Sequence, residues 1–236
     1  MENTEPSLSA AGELLHREGE LREQLAAYFL NMPPLTRQTE EEHRATCRAL
    51  SLCWDLDAAA MLRYGEYPRP LLYGDLHKWL RTNLEACRQI LPDSFNLVYC
   101  LRPMTFYTRF EPRSIQMSLL SLLRGASLSG SRSVCILGEA DAVRHQLTFT
   151  CLRADSLEQA YALSAQTAGQ HGGTFLYPCR PAVSNKSEGC PAVSCGWKLP
   201  KYTRQAAEEF RCPTVARLLQ SPLSPVFTGI YSCLEE

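Results

Sequence analysis

The stretch Tyr161-Ala-Leu-Ser-Ala-Gln-Thr-Ala-Gly-Gln-His-Gly-Gly-Thr-Phe175 decides how this chain is read. It is a helix that ends in His171-Gly-Gly and runs straight into a strand, Thr174-Phe-Leu-Tyr177. Glycine takes positive φ without steric cost, so Gly172 and Gly173 can stop the helix and turn the chain tightly. Alone this is an ordinary helix stop. Its weight comes from the elements around it.

Upstream, a short strand at 71–73 precedes a helix that Asp75 caps and that runs to about Ile90. Strands at 95–101 and 105–110 follow, joined by Arg102-Pro-Met104. Next comes a helix over Pro112–Leu128, with proline in its first turn and Ile115, Leu119, Leu122 and Ala126 on one face. Strands at 133–137 and 146–152 flank the polar turn Gly138-Glu-Ala-Asp141, and the 157–171 helix leads to strands at 174–177 and 192–199. That order predicts an α+β sandwich, a mixed sheet with helices on one face.

The N-terminal part is purely helical in pattern. Over 7–31, Leu14, Leu21, Leu25, Tyr28 and Met32 form a bundle-like stripe, which Pro33-Pro34 ends. Thr36 to Thr39 and Glu40-Glu-Glu42 then supply an N-cap and an acidic first turn for a second helix to about Arg63. Cys47, Leu50, Trp54, Ala58 and Met61 share its apolar face. Two such helices form an antiparallel hairpin that cannot bury both faces alone, so a homodimer through residues 7–64, closing a four-helix bundle, is expected. The Pro/Gly-rich joint at 64–70 divides the hairpin from a sandwich at 71–201. Residues 202–236 add a helix from Thr203, carrying Ala206, Phe210 and Val215, and an apolar docking segment at 226–231.

Apolar residues make up 45% and charged residues 21%, which excludes global disorder; a net charge of −1 gives no basic footprint for nucleic acid. No apolar run is long enough to span a bilayer, and the acidic, polar start does not read as a secretory signal, so a cytoplasmic protein with no membrane contact is expected. The odd count of 11 cysteines argues against a fully paired extracellular framework. Cys47, Cys53, Cys100, Cys135 and Cys151 sit in apolar segments and read as small buried hydrophobes. Cys179, Cys190 and Cys195 with His171 are the best zinc set. Their irregular gaps and the lack of any Cys-x-x-Cys favour a metal-free loop.

Taken in order, these pieces resemble the core of bacterial sensor histidine kinases, a dimerising helical hairpin followed by a Bergerat-type (GHKL) ATP-binding domain. The resemblance covers about residues 10–200. It rests on Phe110-Glu-Pro-Arg-Ser-Ile-Gln-Met-Ser-Leu-Leu-Ser-Leu-Leu-Arg-Gly-Ala126, similar to the helix of the family's Asn box, and on Tyr161 to Phe175, similar to the helix after its second glycine box. Leu56 to Glu66 and Tyr73-Gly-Asp75 are similar to the end of the hairpin and the entry to the ATP domain.

The departures from the family carry the functional expectation. Where the family has Asn-Leu-Leu-x-Asn-Ala, whose second Asn holds the magnesium of the nucleotide, this chain has Ser121-Leu-Leu-Arg-Gly125-Ala126. Gly125 has no side chain, so it supplies no side-chain oxygen to a hard cation. Where the family has Asp-x-Gly-x-Gly to read adenine, this chain has Cys151-Leu-Arg-Ala-Asp155, and Asp155 sits where it would cap the next helix. The second glycine box is replaced by Ser156-Leu-Glu-Gln-Ala-Tyr161, in which Glu158 would repel phosphates and no glycine lets the backbone approach them.

The resemblance therefore implies a degenerate member without a bound cofactor or metal. It would act as a scaffold or regulator in a two-component pathway, with a response-regulator receiver domain or a histidine kinase as partner. His16 is the only histidine in the first hairpin helix and the one candidate phosphoacceptor, though it reads His16-Arg-Glu-Gly-Glu without the family's His-acidic pair and proline. An ATP-independent phosphotransferase through His16, similar in plan to the sporulation phosphorelay protein, is the alternative; a diverged active kinase is another. His43, His77 and His145 read as surface or end-of-element residues, and His171 as a residue facing its helix dipole.

Overall fold

The computed structural model describes residues 39–64, 70–152, 157–179, 192–202, 208–221 and 223–231, with positions 20, 21, 23–25, 27, 28 and 31. Most of the predicted 7–31 helix, His16 included, lies outside the described residues, as do Asp155, Cys190 and the 203–207 part of the predicted tail helix. Where the first helix is described, at 20, 21, 23–25, 27 and 28, it is helical, and Leu25 packs against Ala49, Leu50 and Cys53.

Helix α1, Glu40–Tyr64, starts where the sequence places it. Thr39 and Glu42 form a reciprocal capping box: the Glu42 carboxylate accepts from the Thr39 N–H (2.8 Å) and hydroxyl (2.9 Å), and Thr39 Oγ1 accepts from the Glu42 N–H. Cys47, Leu50, Trp54, Ala58 and Met61 are all buried. Beyond the joint come β1 (Leu72–Asp75), α2 (Leu76–Ile90), β2 (Asn96–Arg102), β3 (Tyr107–Phe110), α3 (Pro112–Leu128), β4 (Ser133–Ala140) and β5 (Arg144–Cys151). Helix α4 (Glu158–Gln170), β6 (Thr174–Cys179), β7 (Val193–Pro200), α5 (Val215–Leu218) and α6 (Pro225–Ile230) complete the described elements. Asp75 caps α2 as predicted, accepting from the Lys78 N–H at 3.1 Å.

The main sheet has the order β2-β4-β5-β7-β6, with β2 and β4 parallel and the other neighbours antiparallel. Period-two alternation sends Ile136, Phe149 and Cys195, which face one another across β4, β5 and β7, into the core beneath the helices. The opposite face is open, with Val98 and Leu137 exposed. Cys100 and Cys135 fall on it and are half-buried, so their predicted place in the core is corrected; alternation, not local apolarity, sets the face.

Three further expectations change. Strand β3 pairs with β1 in a separate two-stranded sheet instead of joining the one mixed sheet that the sequence predicts, because Arg102-Pro-Met104 carries the chain away from β2. The turn predicted at 138–141 moves to 141–143: Gly138, Glu139 and Ala140 stay in β4, and Asp141 makes the turn by accepting from the Val143 and Arg144 N–H groups at 2.7 and 2.8 Å. Among the described residues of the predicted tail helix, Phe210 and its neighbours are not helical and only Val215–Leu218 is. Phe210 instead packs edge-on against Trp79 and Phe110.

Ser224 caps α6, whose Val226 and Ile230 join the core. Tyr231 reaches α1, its hydroxyl 3.0 Å from His43 Nδ1. Among the described residues no helix is long and apolar enough to cross a membrane.

Candidate functional site

Helix α3 carries Ser121 and Gly125, and it is enclosed almost all round. Every residue from Ser114 to Leu123 is buried, with Gly125 and Ala126. An ordinary amphipathic helix buries one stripe, so burial of this breadth requires walls on several sides. The polar contacts identify them.

Toward α4, the Ser118 hydroxyl donates to the Leu163 carbonyl (3.1 Å) and lies 2.6 Å from the Thr167 hydroxyl, which itself donates to the Ser114 carbonyl. Ser114, Ser118 and Ser121 recur at helical spacing, so Ser121 shares this stripe. Its hydroxyl is buried without a hydrogen-bond partner, as is that of Ser164 on α4. Toward α2, Gln116 Nε2 donates to Asn83 Oδ1 at 2.7 Å. Toward α1, Arg113 meets Asp57 (3.2 Å), and Arg124 donates to Ser51 Oγ at 2.7 Å while lying 3.5 Å from Asp55 and over the Trp54 ring. Helix α6 packs along a further side.

Gly125 lies in the last turn, where its carbonyl accepts from the Ser129 N–H (3.0 Å) and hydroxyl (2.8 Å), so that carbonyl too is engaged. Cys151 ends β5, buried between its partners Val134 and Val193. Burial, with Cys151 alongside, pushes the Cys195 thiol up to about 12, and burial with these two thiols pushes Tyr161 up to about 12. This is an apolar, uncharged environment. Cavities of about 770, 670, 630 and 420 Å³ exist elsewhere, and none has Ser121, Gly125 or Cys151 in its wall.

The cap of α4 is Leu157, which makes no side-chain bond. At the other end, Gly172 has φ +66, the turn its sequence predicts. His171 is buried and holds two joints together: its Nε2 accepts from the Glu111 N–H at 2.9 Å, so the ring proton is on Nδ1, which donates to the Thr167 carbonyl at 2.7 Å. Burial lowers its pKa, so it is a neutral latch rather than a cation facing the dipole, and neither nitrogen is available to a metal.

His77 and His145 overturn the surface reading. Both are fully buried, with ring centroids 5.0 Å apart. His145 faces inward because β5 begins at Arg144 rather than Gln146, and His77 lies on the inner face of α2. His77 Nδ1 donates to the Pro103 carbonyl (2.6 Å), while His77 Nε2 and both nitrogens of His145 have no hydrogen-bond partner. Desolvation lowers both pKa values, that of His145 to about 3. A sequence signal existed for His145: it alternates in step with Leu147 and Phe149.

No family model matches the chain, and no curated protein matches it. Solved structures do. The histidine kinase AdeS of Acinetobacter baumannii superposes with a TM-score of 0.51 at 16% identity, covering 80% of this chain and 97% of that one. The ATP-binding domain of PrrB from Mycobacterium tuberculosis (TM-score 0.43, 16% identity) covers 56% of this chain and 98% of its own. The histidine kinase domain of the E. coli osmosensor EnvZ (0.44, 14%) covers 61% and 96%. The fold is that of a sensor histidine kinase core, as the AdeS match shows.

Proposed function

We propose that this chain is a histidine-kinase-like signalling protein of a two-component pathway that works without ATP, as a dimeric scaffold or regulator. The observation that carries this reading is the enclosure of α3. In the family that the sequence resembles, the matching helix lines the nucleotide cleft and supplies the magnesium ligand. Here the matching position is Gly125, which has no side-chain ligand atom and whose carbonyl is taken by Ser129, and the neighbouring cation Arg124 is turned onto α1 instead of toward a phosphate. Cys151, at the place of the adenine-reading carboxylate, is a buried thiol.

In this reading residues 7–64 form the dimer, 71–201 the sandwich that presents a surface to a receiver domain or a partner kinase, and 202–236 the tail. The apolar stripe of the 7–31 helix supports the dimer, since an unpaired stripe of that length would be left in water.

Titration calorimetry with ATP and Mg²⁺ tests the central claim. The expected result is no saturable heat up to millimolar nucleotide. Micromolar affinity would overturn it and restore the active-kinase reading. Incubation with a phosphorylated receiver domain separates scaffold from phosphotransferase: label on the protein that His16→Ala abolishes defeats the scaffold-only reading.

A further inference from the structure

At the end of the sheet away from Cys151 lies a cleft of about 670 Å³. Arg144, at that end of β5, is seven residue steps from Cys151, about 24 Å at the rise of a strand. Tyr73, Phe106, Tyr107 and Tyr202 line the cleft, with Lys201 and Asp141. Such a volume and such walls suit a small ligand, since binding sites are concave, largely apolar and carry few polar groups.

The rings are held in place by the fold. Tyr73 and Tyr107 are diagonal neighbours across the two-stranded sheet, where Tyr73 lies opposite Arg109 and Tyr107 opposite Asp75, and their ring centroids are 5.9 Å apart. The Tyr202 hydroxyl donates to the His171 carbonyl at 3.1 Å, and its N–H donates to Thr108 Oγ1. Phe106 is buried, stacked above the His77–His145 pair. The Lys201 N–H donates to the Val143 carbonyl at 2.7 Å, which ties the β4–β5 turn to the end of β7. Met104 and Val143, next to cleft residues in the chain, are 76% and 69% exposed.

Charge decides the class of ligand. Lys201 Nζ lies 5.3 Å from the Phe106 centroid, so the cleft already holds its own cation over an aromatic floor. Among the described residues Lys201 has no carboxylate within ion-pair distance; the Asp141 carboxylate is held by the Val143 and Arg144 N–H groups and lies 3.7 Å from Arg144 Nε, and those N–H groups, with the charges of Arg144 and, from farther off, Lys201, hold its pKa below the ordinary value. The Glu209 carboxylate faces Tyr107, raising that phenol's pKa, but does not line the cleft. A cationic ligand would meet the Lys201 ammonium; a planar anion would pair with it and stack on the tyrosines.

We propose that this cleft binds a small aromatic carboxylate, ring among the tyrosines and carboxylate on Lys201. It would give the chain a ligand input independent of any nucleotide. Calorimetry with naphthoate as the probe tests it, with naphthylmethylamine reversing the charge and cyclohexanecarboxylate removing the ring. One-to-one, saturable naphthoate binding at least tenfold tighter than either control is expected. Lys201→Met, which keeps the backbone bond to Val143, and Tyr107→Ser should each weaken it at least fivefold. The proposal fails if naphthoate shows no saturable binding at millimolar concentration, if the amine binds as well as the carboxylate, or if both variants bind as the unmodified protein does. The charge comparison uses the unmodified protein, so it stands even if a variant does not fold.

Discussion

Gly229 of α6 lies so close to the face of Trp54 that a Cβ built there would come within 2.6 Å of indole Cζ3 and 2.8 Å of Cε3. Trp54 is fully buried in the middle of α1 and cannot swing aside. The C-terminal helix is thereby seated against the hairpin helix, with Val226 and Ile230 in the common core.

Replacement of this glycine should consequently destabilise the protein, although alanine is the better helix former by about 1 kcal/mol. The clash wins, because forcing atoms into a packed core costs about 1–3 kcal/mol. Gly229→Ala is expected to lower the melting temperature by several degrees in a thermal melt; an unchanged or raised value would mean that the indole has room to move.

Arg124 is the main polar tie between α1 and α3, and its side chain is only 11% exposed. The pair with Asp55 contributes little, since Asp55 is more than half exposed. The bond to Ser51 and the stacking on Trp54 carry the effect. Arg124→Met should cost about 1–2 kcal/mol and speed hydrogen exchange in α1 while leaving β4 and β5 protected. Arg124→Lys should not restore the protection, because an ammonium lacks the planar fork.

His171 is expected to be indispensable to the joint for a reason unrelated to charge. His171→Leu strips the acceptor from the buried Glu111 N–H, at a cost of about 1–3 kcal/mol. His171→Gln, whose amide oxygen can accept, should be milder in urea denaturation. Equal losses would argue that packing of the ring, not the bond, is what matters.

Acid should weaken the fold through His145. Its folded pKa, about 3, lies below the ordinary 6.5, so between those values the unfolded chain binds a proton that the folded one refuses. Stability is complete above about pH 6.5 and falls with pH toward 3. About 2 kcal/mol should be lost from this group between pH 7.5 and pH 5, measured as a drop in urea midpoint. His77 is shifted the same way and adds to the slope. His145→Leu should flatten the profile; an unchanged slope would assign the acid sensitivity to other groups.

Much of the fold was legible because its signals are local. Thr39 and Glu42, Asp75, Pro112 and Gly172 mark element ends through bonds or dihedral limits within a few residues of themselves, and the structure has those ends where predicted. The site was legible only as chemistry. Gly125 has no side chain to offer a cation wherever it lies, yet nothing in Ser121-Leu-Leu-Arg-Gly125 says that its helix is enclosed by α1, α2 and α4, because the enclosing residues, Ser51, Asn83 and Thr167, come from segments far apart in the chain. The aromatic cleft was missed for the same reason: its walls come from β1, β3 and the chain after β7.

By itself, then, the sequence determined the order of helices and strands, the caps that bound them and the residue types, Gly125 and Cys151 among them, that stand at the candidate site. The tertiary structure alone decided that β3 leaves the main sheet for β1, that Cys100 and Cys135 face outward, that His77 and His145 share a dry interior, and that α6 closes over Trp54. The physical reason is range. Caps and turns are set by neighbours in sequence, whereas pairing, burial and pKa are set by whatever the folded chain brings alongside.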